Sequence, residues 1–249
     1  MKISRWTIML SVILIALSIL IFVIKVLVIG DNPESGTLSY IFNALGFLPL
    51  NVLFVTLLLS SMLNMRAKRE REEKTKMVFT LFFTEIGSEL LRTFVAGDAE
   101  AALIREKMAV KSGWKHAEFA QAIADAGELC KKTTPSAADF NRMRNLLLAK
   151  HDFLLRLIEN PVLLEQELVS RLLQDLFHLE TELVARGEIA EENAADLAHL
   201  RGDVNRAYAN LAKLWLTHME YLSRNYPYLL SYSLRTSPFI TENEVMIKE

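Results

Sequence analysis

The sequence predicts an all-α protein. An N-terminal two-helix transmembrane hairpin is followed by a cytoplasmic multi-helix bundle with a coiled-coil-like antiparallel hairpin. Three observations carry this. Hydrophobic residues make up 51% of the 249, and the excess is concentrated near the N-terminus. Gly and Pro are scarce, at nine and six. Beyond residue 65 the apolar residues recur at spacings of three and four instead of alternating, which is the period of a helix and not of a strand.

The first span is residues 6–24, WTIMLSVILIALSILIFVI, without a charge. About 20 apolar residues cross a bilayer core as a helix. Lys25 follows, then apolar residues to 29, giving a span of 6–29. Lys25 is read as an end residue whose stem snorkels to the interface, in preference to an ion contact inside the membrane. Lys2 and Arg5 resemble the basic start of a signal peptide. The apolar run is too long for one, and no A-x-A-like site follows, so an uncleaved anchor is expected.

GDNPESG, residues 30–36, reads as a turn and places a short outer loop at 30–37. The next apolar stretch, residues 38–65, is long for one span. Gly46 and Pro49 divide it, and Pro favours the first turn of a helix. Residues 38–47 are therefore expected as an interfacial helix or bend, and the second span as 49–65. Lys2 and Arg5 precede the first span, while Arg66, Lys68, Arg69 and Arg71 follow the second. The loop between holds Asp31 and Glu34 with no Lys or Arg. The positive-inside rule puts both termini in the cytoplasm, and if the source is bacterial the membrane is the cell (inner) membrane.

Residues 66–76, RAKREREEKTK, contain no Gly or Pro and pair opposite charges at i,i+4, as Arg66 with Glu70 and Lys68 with Glu72. They are expected to continue the second span as a charged helical stalk. Arg66, Lys68 and Arg69 lie nearest the headgroups and can attract anionic lipid.

Residues 77–240 are expected as the bundle and 241–249 as a polar tail. Its first helix, 77–94, carries a stripe of Phe79, Phe82, Phe83, Ile86, Leu90 and Phe94. Gly97 closes it and Asp98 caps the next, 100–110. A third helix runs 114–132. Thr134 and Pro135 read as cap and first position of a fourth, to 159, and Asn160-Pro161 repeats the device. The fifth helix, to 186, lines one face with Leu168, Leu172, Leu176, Leu179 and Leu183. Gly187 allows a turn into the sixth, 191–225. There Leu197, Leu200, Val204, Ala207, Leu211, Leu214, His218 and Tyr221 form a seam. Residues 225–239, NYPYLLSYSLRTSPF, are aromatic with basic flanks and suit either a membrane surface or a terminal helix packed on the bundle.

Charge excludes one class of partner. Residues 1–76 hold nine Lys/Arg against five Asp/Glu, and the remainder nets −6. A mildly acidic domain gives no reason to expect nucleic acid. No phosphate-binding Gly loop, nucleophile elbow or paired C-x-x-C occurs. Cys130, beside Lys131 and Lys132, is the single cysteine and reads as an incidental helix-end thiol.

Asp175-x-x-His178 and Asp196-x-x-His199 resemble in form the inward carboxylate–histidine pairs of di-metal bundles. Projection at 100° per residue turns His178 about 120°, and His199 about 140°, away from the seams. No metal site and no cofactor are expected. His218 stands where a seam wants Leu or Val, as a hydrogen-bonded core histidine or a switch of register or pH.

The resulting expectation is a membrane-anchored interaction, scaffold or regulatory module without catalytic activity, with a protein partner and possible homo-oligomerisation. Alternatives are a subunit of an oligomeric channel or transport complex, with Asn43, Asn51, Thr56, Ser60, Ser61 and Asn64 as polar candidates, and a metal-dependent membrane enzyme.

Overall fold

The computed structural model describes residues 5–29, 36–190 and 194–241. Lys2, Asp31, Glu34, the expected helix start at Glu191 and residues 242–249 lie outside them. The described residues are helical throughout their regular structure, with no strand. The chain divides into two compact units, Met1–Arg71 and Glu72–Glu249.

The first unit holds helix α1, Arg5–Ile29, and most of α2, Gly36–Phe82. The two run antiparallel. Ser18 Oγ donates to the Gly46 carbonyl at 2.6 Å, and Lys25 Nζ to Asn43 Oδ1 at 2.8 Å. The Phe22 and Phe47 rings meet edge to face at 5.3 Å. A Cβ on Gly46 would come within 2.8 Å of the Phe22 ring. That close approach, and not a break, is the use of this glycine. Helix α2 runs through Pro49 without ending, so residues 38–47, expected as an interfacial helix or bend, are helical and continuous with the stretch expected to start at 49. A proline inside a helix removes one hydrogen bond and clashes with the preceding turn, at about 3 kcal/mol. The helical residues on both sides, and the contacts that α1 makes before Pro49, offset that cost.

The long stretches Trp6–Ile29 and Gly36–Ala96 are apolar and long enough to cross a membrane, by length and composition. Large apolar side chains along both are exposed, among them Val12, Leu27, Phe54 and Leu58.

In the second unit α2 passes into a π-helical turn, Phe83–Gly87, and then α3, Ser88–Ala96. Next come α4 Ala101–Met108, α5 His116–Leu129, α6 Ala137–Ala149 and α7 His151–Ile158. The single turn α8 Pro161–Leu164, then α9 Glu167–Arg186, α10 Ala194–Asn225 and α11 Pro227–Arg235 complete it. Helix α10 is the axis and packs against α5, α9, α3 and α11, while α6 joins α9 to α3. At 32 residues, α10 is about 48 Å long. Its seam is buried from Leu197 to His218, with Tyr221 half-buried, and the leucine face of α9 from Leu172 to Leu183 is buried against it.

The ends follow local chemistry. The Glu100 N–H donates to Asp98 Oδ1 at 2.8 Å. Asn160 caps α8 by accepting from Val162 N–H at 3.1 Å, with Pro161 at the first position. Gly187, at φ +72°, reverses the chain between α9 and α10. Asn141 locks the residues beyond it, its amide exchanging two 3.0 Å hydrogen bonds with the Ile189 backbone. Two expectations change. The cap of α6 is Ser136, not Thr134, because Ser136 and Asp139 form a reciprocal capping box. The expected fourth helix divides at Lys150 into α6 and α7.

Candidate ligand cleft at the π-turn

The turn Phe83–Gly87 inserts one extra residue per turn, and the Ser88 N–H donates to the Phe83 carbonyl five residues back. Such turns occur often at functional sites because they re-aim side chains without ending the helix. Glycine is needed here. A Cβ at Gly87 would lie 2.6 Å from the Phe83 ring and 2.9 Å from the Phe82 ring. Both rings are buried. Phe83 stacks on His218 at 5.5 Å and 22°, and meets Trp215 edge to face at 5.0 Å.

Beside this aromatic group lies a cleft of about 440 Å³. Thr80 comes from α2, Phe83 and Thr84 from the π-turn, and Ser88 and Arg92 from α3. Trp215 and His218 come from α10, and Leu229, Tyr232 and Ser233 from α11, with Thr236 just beyond. The volume is that of a small-molecule site. Among the described residues, no carboxylate lines it. Three nitrogens of its lining residues are buried without a hydrogen-bond partner: Arg92 Nε, Trp215 Nε1 and His218 Nδ1. Leaving such a group unpaired costs about 1–3 kcal/mol, and Arg92 Nε and Trp215 Nε1, which can only donate, favour a guest that brings acceptors.

His218 is 2% exposed, and its Nε2 lies 3.4 Å from Thr80 Oγ1. Burial first, and then Lys76, push its pKa down to about 4. The imidazole is neutral at pH 7 and serves as a hydrogen-bonding group. Arg92 is half-buried and donates from Nη2 to the Thr236 carbonyl at 2.7 Å, tying α3 to the end of α11.

The chain is similar along nearly all its length to known sequences. The family model described as the C-terminal helical domain of the uncharacterized protein MJ1433 matches residues 71–235, and the model for the MJ1433 N-terminal helical domain matches residues 2–63. The chain belongs to the MJ1433 family. The uncharacterized protein MJ1433 of Methanocaldococcus jannaschii is 35% identical over 246 residues, covering 99% of this chain and 97% of the relative. No solved structure matches. Members of the MJ1433 family are thus divided into two helical domains, and in this chain residues 64–70 separate the matches.

The residues singled out in the sequence fall in different places. His218 lies in the cleft wall. Lys25 is half-buried and held by Asn43, so its amine makes an interhelical contact. Arg5 begins α1, and Arg66, Lys68, Arg69 and Arg71 are exposed along α2. Cys130 is buried, and burial pushes its thiol pKa up to about 12, opposite to a reactive cysteine. Arg92, Trp215 and the π-turn were not visible as a site. Phe82-Phe83 followed by Gly87 is the only local trace of the turn.

Proposed function

We propose that the chain is an integral membrane protein whose helical bundle is a non-catalytic binding module on the cytoplasmic side. In this reading α1 and the apolar part of α2 form the anchor. The exposure of their large apolar side chains supports it, as does the concentration of Lys and Arg at the ends of the apolar runs. Arg66, Lys68, Arg69 and Arg71, exposed just past the second run, favour anionic headgroups.

The cleft at the π-turn carries the binding role. Two unpartnered donors, Arg92 Nε and Trp215 Nε1, the hydroxyls, and the absence of carboxylate among the described lining residues favour an acceptor-rich anion. Phe83 and Trp215 add a flat apolar surface. The ligand class is therefore a small carboxylate or phosphate joined to a planar apolar group.

The test is a thermal-shift screen of the full-length chain in mild detergent. The panel contains nucleotides, aromatic carboxylates, sugar phosphates and matched neutral compounds. An anionic planar class raises Tm, and Arg92→Gln removes most of that increment. No shift from any anionic compound, or a shift undiminished in Arg92→Gln, would contradict the cleft as the binding site.

A further inference from the structure

The α9–α10 hairpin carries a second polar group, separate in residues from the cleft. His178 on α9 and His199 on α10 each have an acid four residues further on, Glu182 and Asp203. That spacing puts histidine and acid on one helix face. Reversal at Gly187 then brings the two faces together. One ligating atom each of His178, Glu182 and His199 lies within 4.8 Å of the others. His199 Nε2 is 3.6 Å from Glu182 Oε2 and 3.6 Å from Asp203 Oδ2. His178 Nε2 is 3.6 Å from Asp203 Oδ1. One carboxylate thus stands between two imidazoles.

Those distances are informative. At 3.6 Å none is a hydrogen bond. Two donors bound to one tetrahedral zinc at about 2.0–2.1 Å are about 3.3–3.4 Å apart. Each of these three pairs is therefore close to the edge length of a coordination shell.

Asp203 supplies an independent observation. Its side chain is 1% exposed, and its Oδ2, the oxygen facing His199, has no hydrogen-bond partner. A buried carboxylate oxygen left unpaired costs more than a neutral group would, and a cation at the histidines would satisfy it. The imidazoles are 49% and 56% exposed, so an ion can enter from solvent while Asp203 forms the inner wall.

The neighbouring arginines orient the carboxylates. Arg206 holds Asp203 Oδ1. Arg186 Nη1 holds Glu182 Oε2 at 2.5 Å, and its other nitrogens clamp Asp196 at 2.7–2.9 Å. Two guanidiniums offset the two carboxylates, so charge alone does not draw in a hard cation such as Mg²⁺ or Ca²⁺. Selection rests on the imidazoles, which suit borderline transition metals. Asp175, by contrast, is engaged by Asn210 at 2.7 Å. The i,i+3 acids noticed in the sequence are thus taken by other partners, while the i,i+4 acids, although each also meets an arginine, face the histidines, and Asp203 Oδ2 is left without a hydrogen bond.

We propose that His178, His199, Asp203 and Glu182 form a binding site for a divalent transition-metal ion of the Zn²⁺ class, clipping α9 to α10. The projection that turned both histidines off their seams had led to an expectation of no metal. That same rotation places them on the flank the two helices share.

The test uses the full-length, untagged chain in detergent, stripped with EDTA and dialysed against ZnCl₂. Metal content after gel filtration is read by mass spectrometry. The expected result is one zinc per chain. Co²⁺ should give visible absorption of a tetrahedral N/O site. His178→Ala and His199→Ala are substitutions of half-exposed residues and should keep the helical circular dichroism. Each should weaken Zn²⁺ by more than the about 10–100-fold that loss of an outer-shell partner costs. His116→Ala, at an exposed histidine paired with Glu220, should retain the ion. Zinc at background level, or zinc undiminished in the His178→Ala/His199→Ala double variant, would overturn the proposal.

Discussion

The two units of this chain use the same apolar side chains in opposite ways. In Met1–Arg71, Leu27 is 79% exposed and Phe54 64%. In Glu72–Glu249, Leu176 and Leu211 are fully buried. The helix period is shared. What differs is where the polar residues fall. In the second unit they alternate with the apolar stripe and give each helix a wet face and a dry one. In the first unit they are few, and several are spent between the helices, as Ser18 on Gly46 and Lys25 on Asn43. That distribution is what supports the membrane anchor proposed above.

Four substitutions, in three tests, would break or sharpen this contrast. The largest effect is expected from paired leucine truncations. Leu176→Ala leaves a cavity in the bundle and should cost about 2–5 kcal/mol of its stability. Leu27→Ala removes an exposed side chain and should leave bundle unfolding, followed by near-UV circular dichroism, unchanged within about 0.5 kcal/mol. Equal losses would show that the two environments are alike.

The second effect concerns pH in the bundle. The pKa of His218 is about 4, below its ordinary 6.5, so the folded state binds fewer protons than the unfolded chain between these values. Its contribution to stability is therefore intact above about pH 6.5 and is lost as pH falls towards 4, by about 3 kcal/mol in all. His218→Gln should flatten this part of a denaturant-midpoint titration. An unchanged slope would show that the imidazole is not desolvated by Phe83 and its neighbours.

The smallest effect is at the first unit's closest approach. Gly46→Leu would force the Phe22 ring away and should cost about 1–3 kcal/mol in an SDS unfolding titration of the purified chain. A neutral result would mean that the hairpin tolerates a wider separation.

Much of the fold was legible in the sequence, for identifiable reasons. The Asn160-Pro161 and Gly187 boundaries rest on backbone chemistry that few other residues supply, and they stand as read, while Gly97 ends its helix at an ordinary φ of −84°. The seam of α10 was legible because its spacing of three and four persists from Leu197 to Tyr221. The division at Lys150 was not, since neither Gly nor Pro marks it. Nor was the passage of α2 through Pro49, where contacts with α1 override a local penalty. At α6 two caps competed, and Ser136 prevailed because Asp139 could return its hydrogen bond.

The candidate sites were less legible still. His218 was visible as the wrong residue in a seam. Its cleft needs α2, α3, α10 and α11 together, and one of its walls is a π-turn that leaves the apolar stripe of Phe79, Phe82, Phe83 and Ile86 looking like ordinary helix. At the hairpin, attention to i,i+3 pairs concealed the i,i+4 acids. Only the backbone reversal shows that Asp203 reaches both histidines.

The most direct measurement of the central claim is a cysteine-accessibility map of the full chain in intact cells. Cys130 is the single cysteine, so Cys130→Ser gives a clean background for Glu34→Cys and Glu249→Cys reporters. The account expects an impermeant maleimide to label position 34 from outside and position 249 only after permeabilisation, with the chain retained in the membrane through alkaline carbonate. Release by carbonate, or labelling of position 249 from outside, would contradict a two-span anchor with a cytoplasmic bundle.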